Sequence, residues 1–136
     1  MTDRRPSTDE RVDRYLTGSG AGTHLLGLGM DGLIARWEAI ADEVAAGYRL
    51  GLDDYLNDLD LRQILDGAVA AVAETRGPLL ARLRSADARF RAATRPVDDS
   101  LWGAAAPGDR HRTWWYFRVP LRASGEMAED LAARDI

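Results

Sequence analysis

The stretch LIARWEAIADEVAAGY, residues 33–48, indicates the fold class, because its apolar residues recur every three or four positions. That spacing places them along one side of an α-helix, and the charged residues fall outside this stripe. The sequence therefore predicts an amphipathic helix that begins between residues 24 and 32 and ends near Gly51. The apolar stripe consists of Leu33, Trp37, Ile40, Val44 and Tyr48.

The N-terminal residues are predicted to form a separate short helix. Ser7 and Glu10 have the spacing of a capping box, which marks a helix start. The glycine-rich tract at residues 18–22 ends that short helix and is flexible by composition. We therefore predict a short capped helix and flexible arm over residues 1–22, followed by one globular domain over residues 23–136.

The stretch from residue 52 to residue 74 changes its pattern in the middle. Its apolar positions before and after Asp60 fall on nearly opposite sides of a helical wheel. Two interpretations remain open, a single helix buried all round or a break near Asp60. Asp60 followed by Gln63 would make an acceptable cap, so we favour the break, with a second helix over residues 61–74.

Two further short helices are predicted. Pro78 suits the first position of a helix over residues 79–85. Residues 126–134 are also compatible with a helix near the end of the chain.

The spacing changes to every second residue from residue 86 onward. Alternation over residues 86–94 indicates a strand, although a helix continuing to Ala93 also fits, because alanine favours helices. The stretch RTWWYFRV, residues 112–119, is the clearest strand. Paired as a hairpin, these segments predict a mainly helical α+β fold with three to four helices packed on a C-terminal β-hairpin. The alternative is an all-α fold with one extended aromatic segment.

Composition excludes several kinds of chemistry. The chain has no cysteine, and all 18 of its basic residues are arginine. Disulfides, thiolate sites, Schiff-base lysines and phosphate-loop lysines are therefore excluded. We find neither an apolar run of about 20 residues nor an export signal, and we expect a cytoplasmic protein without cofactor.

Charge is distributed unevenly along the chain. Residues 1–75 contain 7 arginines against 14 acidic residues, whereas residues 76–122 contain 10 arginines against 4. The last 14 residues are acidic again, with 1 arginine against 4 acidic residues. The basic middle segment either pairs with the acidic remainder inside the fold or presents a surface to an anionic partner.

Alternation in the predicted hairpin collects the candidate binding residues on one face. That face could bind an anionic ligand or a single-stranded nucleic acid, because aromatic rings stack on bases and guanidinium groups hold phosphates. The more economical interpretation is that the aromatic residues close the core and the arginines pair with the acidic helices. The candidate residues are Arg89, Arg91, Arg112, Trp114, Tyr116 and Arg118.

An acidic stretch, DDYLNDLD at residues 53–60, is the other concentration of charge. Its spacing does not match a calcium loop, so we interpret it as a solvated helix face and predict no metal site. Asp58 and Arg62 have the spacing of a favourable helical ion pair.

We therefore expect a small non-catalytic interaction protein, such as an accessory or immunity-type subunit, that binds a protein partner through a charged and aromatic surface. A binder of nucleic acid or another anionic ligand is the first alternative. A small hydrolase-like enzyme that uses His111 with a carboxylate, such as the nearby Asp109, is the second.

Overall fold

The structure, a computed structural model, describes residues 7–20, 23–72, 77–101 and 110–136 of the chain. These residues form five α-helices and two short antiparallel strands, which confirms the predicted mainly helical α+β fold. None of the described helices is long and apolar enough to cross a membrane. The elements are α1 (Thr8–Ser19), α2 (Gly29–Ala46), α3 (Leu52–Ala71), α4 (Gly77–Ala92), β1 (Thr94–Pro96), β2 (Arg118–Pro120) and α5 (Gly125–Ala133).

Helix α1 begins at the predicted cap. The Ser7 hydroxyl accepts a hydrogen bond from the backbone N–H of Glu10 at 3.1 Å. Val12 and Leu16 are fully buried in the same hydrophobic core as the other helices. Residues 21–22 of the glycine-rich tract lie outside the described residues, and the division of the chain at residue 22 remains a prediction.

Helix α2 buries its predicted stripe but ends earlier than expected. Leu33, Trp37 and Val44 are fully buried. The helix ends at Ala46 because Gly47, with φ of 124°, turns the chain away, so the predicted terminator at Gly51 is wrong. The last residue of the stripe, Tyr48, therefore follows the helix and forms an isolated bridge with Ala123.

Helix α3 is a single helix, so the predicted break near Asp60 is wrong. It packs against α1, α2, α5 and the aromatic residues near β2, and this central position buries apolar residues on both of its sides. Asp60 does not act as a cap, since its carboxylate accepts a hydrogen bond from the Tyr116 hydroxyl at 2.6 Å. The change of phase in the sequence thus marks one helix that buries apolar residues on two sides.

Helix α4 runs to Ala92, so the strand predicted over residues 86–94 is also wrong. Ala86 and Phe90 are buried four residues apart on one face of this helix. The alternative of a continuing helix is the one that forms, and the true strands are only three residues long. In their antiparallel pairing, Arg95 lies opposite Val119.

The aromatic segment differs most from its prediction. Trp114–Phe117 forms a turn of 3-10 helix, here called the aromatic turn, and the strand begins only at Arg118. Side chains of a helical turn do not alternate between two faces, and Trp115, Tyr116 and Phe117 are all buried. The single ligand-facing side that alternation predicted therefore does not form.

A buried ion pair joins the helices to the aromatic turn. The Nε and Nη2 atoms of Arg62 donate to the two carboxylate oxygens of Asp87, both at 2.9 Å. Trp37 Nε1 donates to the same carboxylate at 2.8 Å, and the Arg62 guanidinium lies 4.5 Å from the Trp115 ring centroid. This cluster links α2, α3, α4 and the aromatic turn.

Candidate functional site

The structure separates the six predicted binding residues. Arg91, Trp114 and Arg118 line one pocket. Arg89 points elsewhere, with its Nε atom 3.6 Å from an Asp42 carboxylate oxygen on α2. Tyr116 is buried against Asp60, and Arg112 is exposed outside the pocket lining. Three of the six predicted residues therefore lie together in one pocket.

The pocket lies where the end of α4, the strand β1 and the aromatic turn meet. It has a volume of about 410 Å³, within the range of sites that hold a small ligand or a side chain. We call it the arginine pocket. It is lined by Arg91, Pro96, Asp98, Arg110, His111, Trp114, Phe117 and Arg118.

Arg91 forms one wall by stacking on Trp114. Its guanidinium carbon lies 4.0 Å from the Trp114 ring centroid, which is within the range of a cation–π contact. Trp114 is in turn anchored to the core by Phe90, whose ring centroid lies 5.9 Å from that of Trp114. The half-buried ring of Trp114 thus holds the exposed side chain of Arg91 in place.

Arg118 is held by neutral groups. Its Nε atom donates to the Thr94 hydroxyl at 2.8 Å, and its Nη2 atom donates to the carbonyl oxygens of Thr94 at 3.0 Å and Arg91 at 3.2 Å. The Arg91 carbonyl lies in the last turn of α4, where a cation is favourable. Burial, and then the charge of Arg91, lower the pKa of Arg118. Within the described residues, neither Arg91 nor Arg118 forms an ion pair with a carboxylate.

Arg110 and His111 complete the rim of the arginine pocket. The Nη2 atom of Arg110 donates to the Val97 carbonyl at 2.6 Å and lies 3.6 Å from an Asp98 carboxylate oxygen. Both side chains of this ion pair are exposed, so solvent weakens it. His111 is exposed on the same rim, while Asp109, the carboxylate near it in sequence, lies outside the described residues.

Four residues of the pocket were missed by sequence reasoning: Pro96, Asp98, Arg110 and Phe117. Alternation assigned Phe117 to the opposite side from Trp114, because it assumed a strand. Arg110 lies in the predicted loop, and its position 5.6 Å from the Phe117 ring centroid has no periodic signature. Its only signal was membership of the basic segment of the chain.

The acidic stretch of α3 has two kinds of aspartate. Asp53 and Asp54 are exposed in the first turn of the helix, whereas Asp58 accepts a hydrogen bond from the Tyr48 hydroxyl at 2.7 Å. Over the ranges that the structure describes, no group of three or more histidines and acidic residues could hold a metal ion.

Comparisons with models of known protein families, with curated proteins and with solved structures found no match. The geometry and charge of the described residues therefore carry the functional argument.

Proposed function

We propose that this protein is a non-catalytic interaction protein that binds an acidic segment of a partner protein in the arginine pocket. The observation that carries the proposal is the pair of adjacent arginines, Arg91 and Arg118, that no described carboxylate neutralises. An acidic side chain or a terminal carboxylate of a partner would supply the missing counter-charge. An accessory or immunity-type role in the cytoplasm remains part of this proposal.

The pocket favours binding because its arginines are already ordered. Arg118 is fixed by three hydrogen bonds, and Arg91 is stacked on Trp114. Less side-chain freedom is therefore lost when an anion arrives. Hydrogen bonds between guanidinium and carboxylate groups are charge-assisted and stronger than neutral ones. Arginine and tryptophan are also the residue types that most often dominate binding at protein interfaces.

The charge distribution favours a protein over a nucleic acid. The chain carries a net charge of −4, the exposed Asp98 lines the pocket, and the exposed Asp99 follows it in the chain. Proteins that bind nucleic acids by charge present a continuous basic surface, since the phosphates follow one another along the strand. Here Arg89 is paired with Asp42 and does not extend the basic surface of the pocket. Such a pocket fits one acidic group better than a phosphate backbone.

Titration with two short peptides tests this function. The first peptide alternates aspartate and glycine, and the second has asparagine in place of aspartate. We expect saturable binding of the first peptide only, with a shift of the Trp114 indole N–H signal in NMR spectra. Arg118→Gln should weaken that binding by about tenfold or more, because a charge-assisted hydrogen bond is lost. The matched control Arg112→Gln removes an arginine outside the pocket and should change affinity by less than about twofold.

Binding of a single-stranded oligothymidine of similar length distinguishes the proposed function from the alternative of nucleic-acid binding. Tighter binding of the oligonucleotide than of the aspartate peptide, with affinity that falls steeply as salt rises, would replace the proposal by nucleic-acid binding. Equal binding of both peptides, or an equal loss of affinity in Arg112→Gln and Arg118→Gln, would contradict any role of the arginine pocket.

A further inference from the structure

A second pocket lies between α2 and α3, and its charge is opposite to that of the arginine pocket. It has a volume of about 620 Å³, which is large enough for a small molecule. Its apolar wall is formed by Ile40 of α2 and by Leu61 and Ile64 of α3. Asp58 and Asp60 of α3 also contribute to its lining. We call it the aspartate groove.

Each carboxylate of the aspartate groove is held by a tyrosine from the core side. The Tyr48 hydroxyl donates to Asp58 Oδ2 at 2.7 Å, and the Tyr116 hydroxyl donates to Asp60 Oδ1 at 2.6 Å. One oxygen of each carboxylate is thus occupied. Among the described residues, no hydrogen-bond donor or ion-pair partner contacts the second oxygen of either group. The tyrosines fix both carboxylates without neutralising them.

The surroundings of Asp58 leave its negative charge uncompensated. Burial raises the pKa of Asp58, the hydrogen bond from Tyr48 partly opposes that rise, and the charges of Glu43 and Asp54 add to it. A cation placed in the groove would offset both the cost of burying the Asp58 charge and its repulsion by Glu43 and Asp54. Perturbed carboxyl groups inside a partly apolar cavity are a common property of ligand sites.

Arg36 and His24 also line the groove and offer a simpler explanation. Either could swing toward the aspartates in solution. Both are exposed, and Arg36 forms no ion pair within the described part of the chain. An arginine that stays in solvent does not cover Ile64, the half-buried member of the apolar wall. A ligand with both a cation and an apolar body would satisfy Asp58 and pack on that wall together.

We propose that the aspartate groove binds a small organic cation, in which a primary amine contacts the free carboxylate oxygen of Asp58 and an apolar body packs on Ile40 and Ile64. This site is independent of the arginine pocket. It takes a ligand of opposite charge, so each proposal can fail without the other.

The test uses the unaltered full chain and two matched probes, 2-phenylethylamine and the neutral 2-phenylethanol. Binding is followed by NMR through the methyl signals of Ile40 and Ile64. For an amine of this size we expect a dissociation constant of about 1 mM. We expect the alcohol to bind about tenfold more weakly, because it lacks the charge-assisted hydrogen bond. Equal affinities, or no saturable shift with the amine, would overturn the proposal.

Two variants locate the amine within the groove. Asp58→Asn should reduce amine affinity by about tenfold and leave the alcohol unchanged. Asp54→Asn removes the same charge from an exposed position of α3, and should change amine affinity by less than about twofold. Equal losses in the two variants would contradict a specific contact with Asp58. Thermal unfolding of both variants checks that they fold, and the probe comparison on the unaltered chain needs no variant.

Discussion

Two arginines of this chain occupy contrasting environments. Arg62 is 6% exposed and its guanidinium forms a two-pronged ion pair with Asp87 inside the helical core. Arg118 is partly buried at the end of α4, and its hydrogen-bond acceptors are a hydroxyl and two backbone carbonyls. The first arginine has its counter-charge within the fold and serves structure. The second has hydrogen bonds but no counter-charge, and retains the capacity to bind an anion.

The same contrast explains the uneven charge along the chain. Acidic residues of α2 pair with basic residues of α4, as in the contacts of Arg82 with Asp31 and Glu38. Part of the basic middle segment is therefore neutralised by the acidic N-terminal half. Among the arginines that remain without a described carboxylate partner, Arg91 and Arg118 are adjacent in the arginine pocket, whereas Arg84, Arg95, Arg112 and Arg122 lie outside its lining.

The largest expected effect is a loss of stability when Arg62 loses its partner Asp87. Asp87→Ala leaves the buried Arg62 with only a looser contact to the exposed Asp66, at 3.6 Å, and removes the acceptor of Trp37 Nε1. We expect the free energy of unfolding to fall by about 3–5 kcal/mol, measured by urea denaturation. The control Asp42→Ala removes the partner of Arg89 on the surface and should change it by less than about 1 kcal/mol. Similar losses in the two variants would show that burial of the Arg62 pair has no special role.

A smaller loss of stability is expected when Arg118 is replaced. Arg118→Gln removes hydrogen bonds to neutral acceptors at the end of α4, so the free energy of unfolding should fall by about 1 kcal/mol. Removing a charge that lacks a counter-charge leaves no unpaired ion behind. A loss as large as that of Asp87→Ala, again by urea denaturation, would mean that Arg118 is chiefly structural.

The smallest expected effect concerns pH. Because burial raises the pKa of Asp58, its protonated form is favoured in the folded state. Its contribution to stability is therefore present below the ordinary carboxyl pKa and is lost as pH rises through the raised pKa. Asp58→Asn should make stability less dependent on pH in that window, as measured by urea denaturation at several pH values. Identical pH profiles for the two proteins would contradict a raised pKa.

Local patterns in the sequence predicted the elements that depend on neighbouring residues. The stripe of α2 up to Val44, the cap at Ser7 and the short α5 all formed as expected. The phase change in α3 was visible too, but a wheel cannot tell a break from burial on two sides. The tertiary contacts of α3, such as that between Asp60 and Tyr116, decide that case.

Contacts between distant residues could not be predicted in this way. The sequence offered Asp58 as the partner of Arg62 four residues away, whereas the structure pairs Arg62 with Asp87 and, more loosely, with Asp66. The same limit applies to the arginine pocket. Arg91 and Trp114 were assigned to one face by an alternation that does not exist, and they meet instead because α4 and the aromatic turn pack together.

The arginine Nε–H signals of the two contrasted residues give the most direct test. They can be followed in one NMR titration of the ¹⁵N-labelled chain with the aspartate peptide. The Arg118 and Arg91 signals should shift in a saturable way, and the Arg62 signal, already paired with Asp87, should stay in place. Unchanged signals of Arg118 and Arg91, or equal shifts at the exposed Arg112, would contradict the claim that the arginine pocket holds an anionic group.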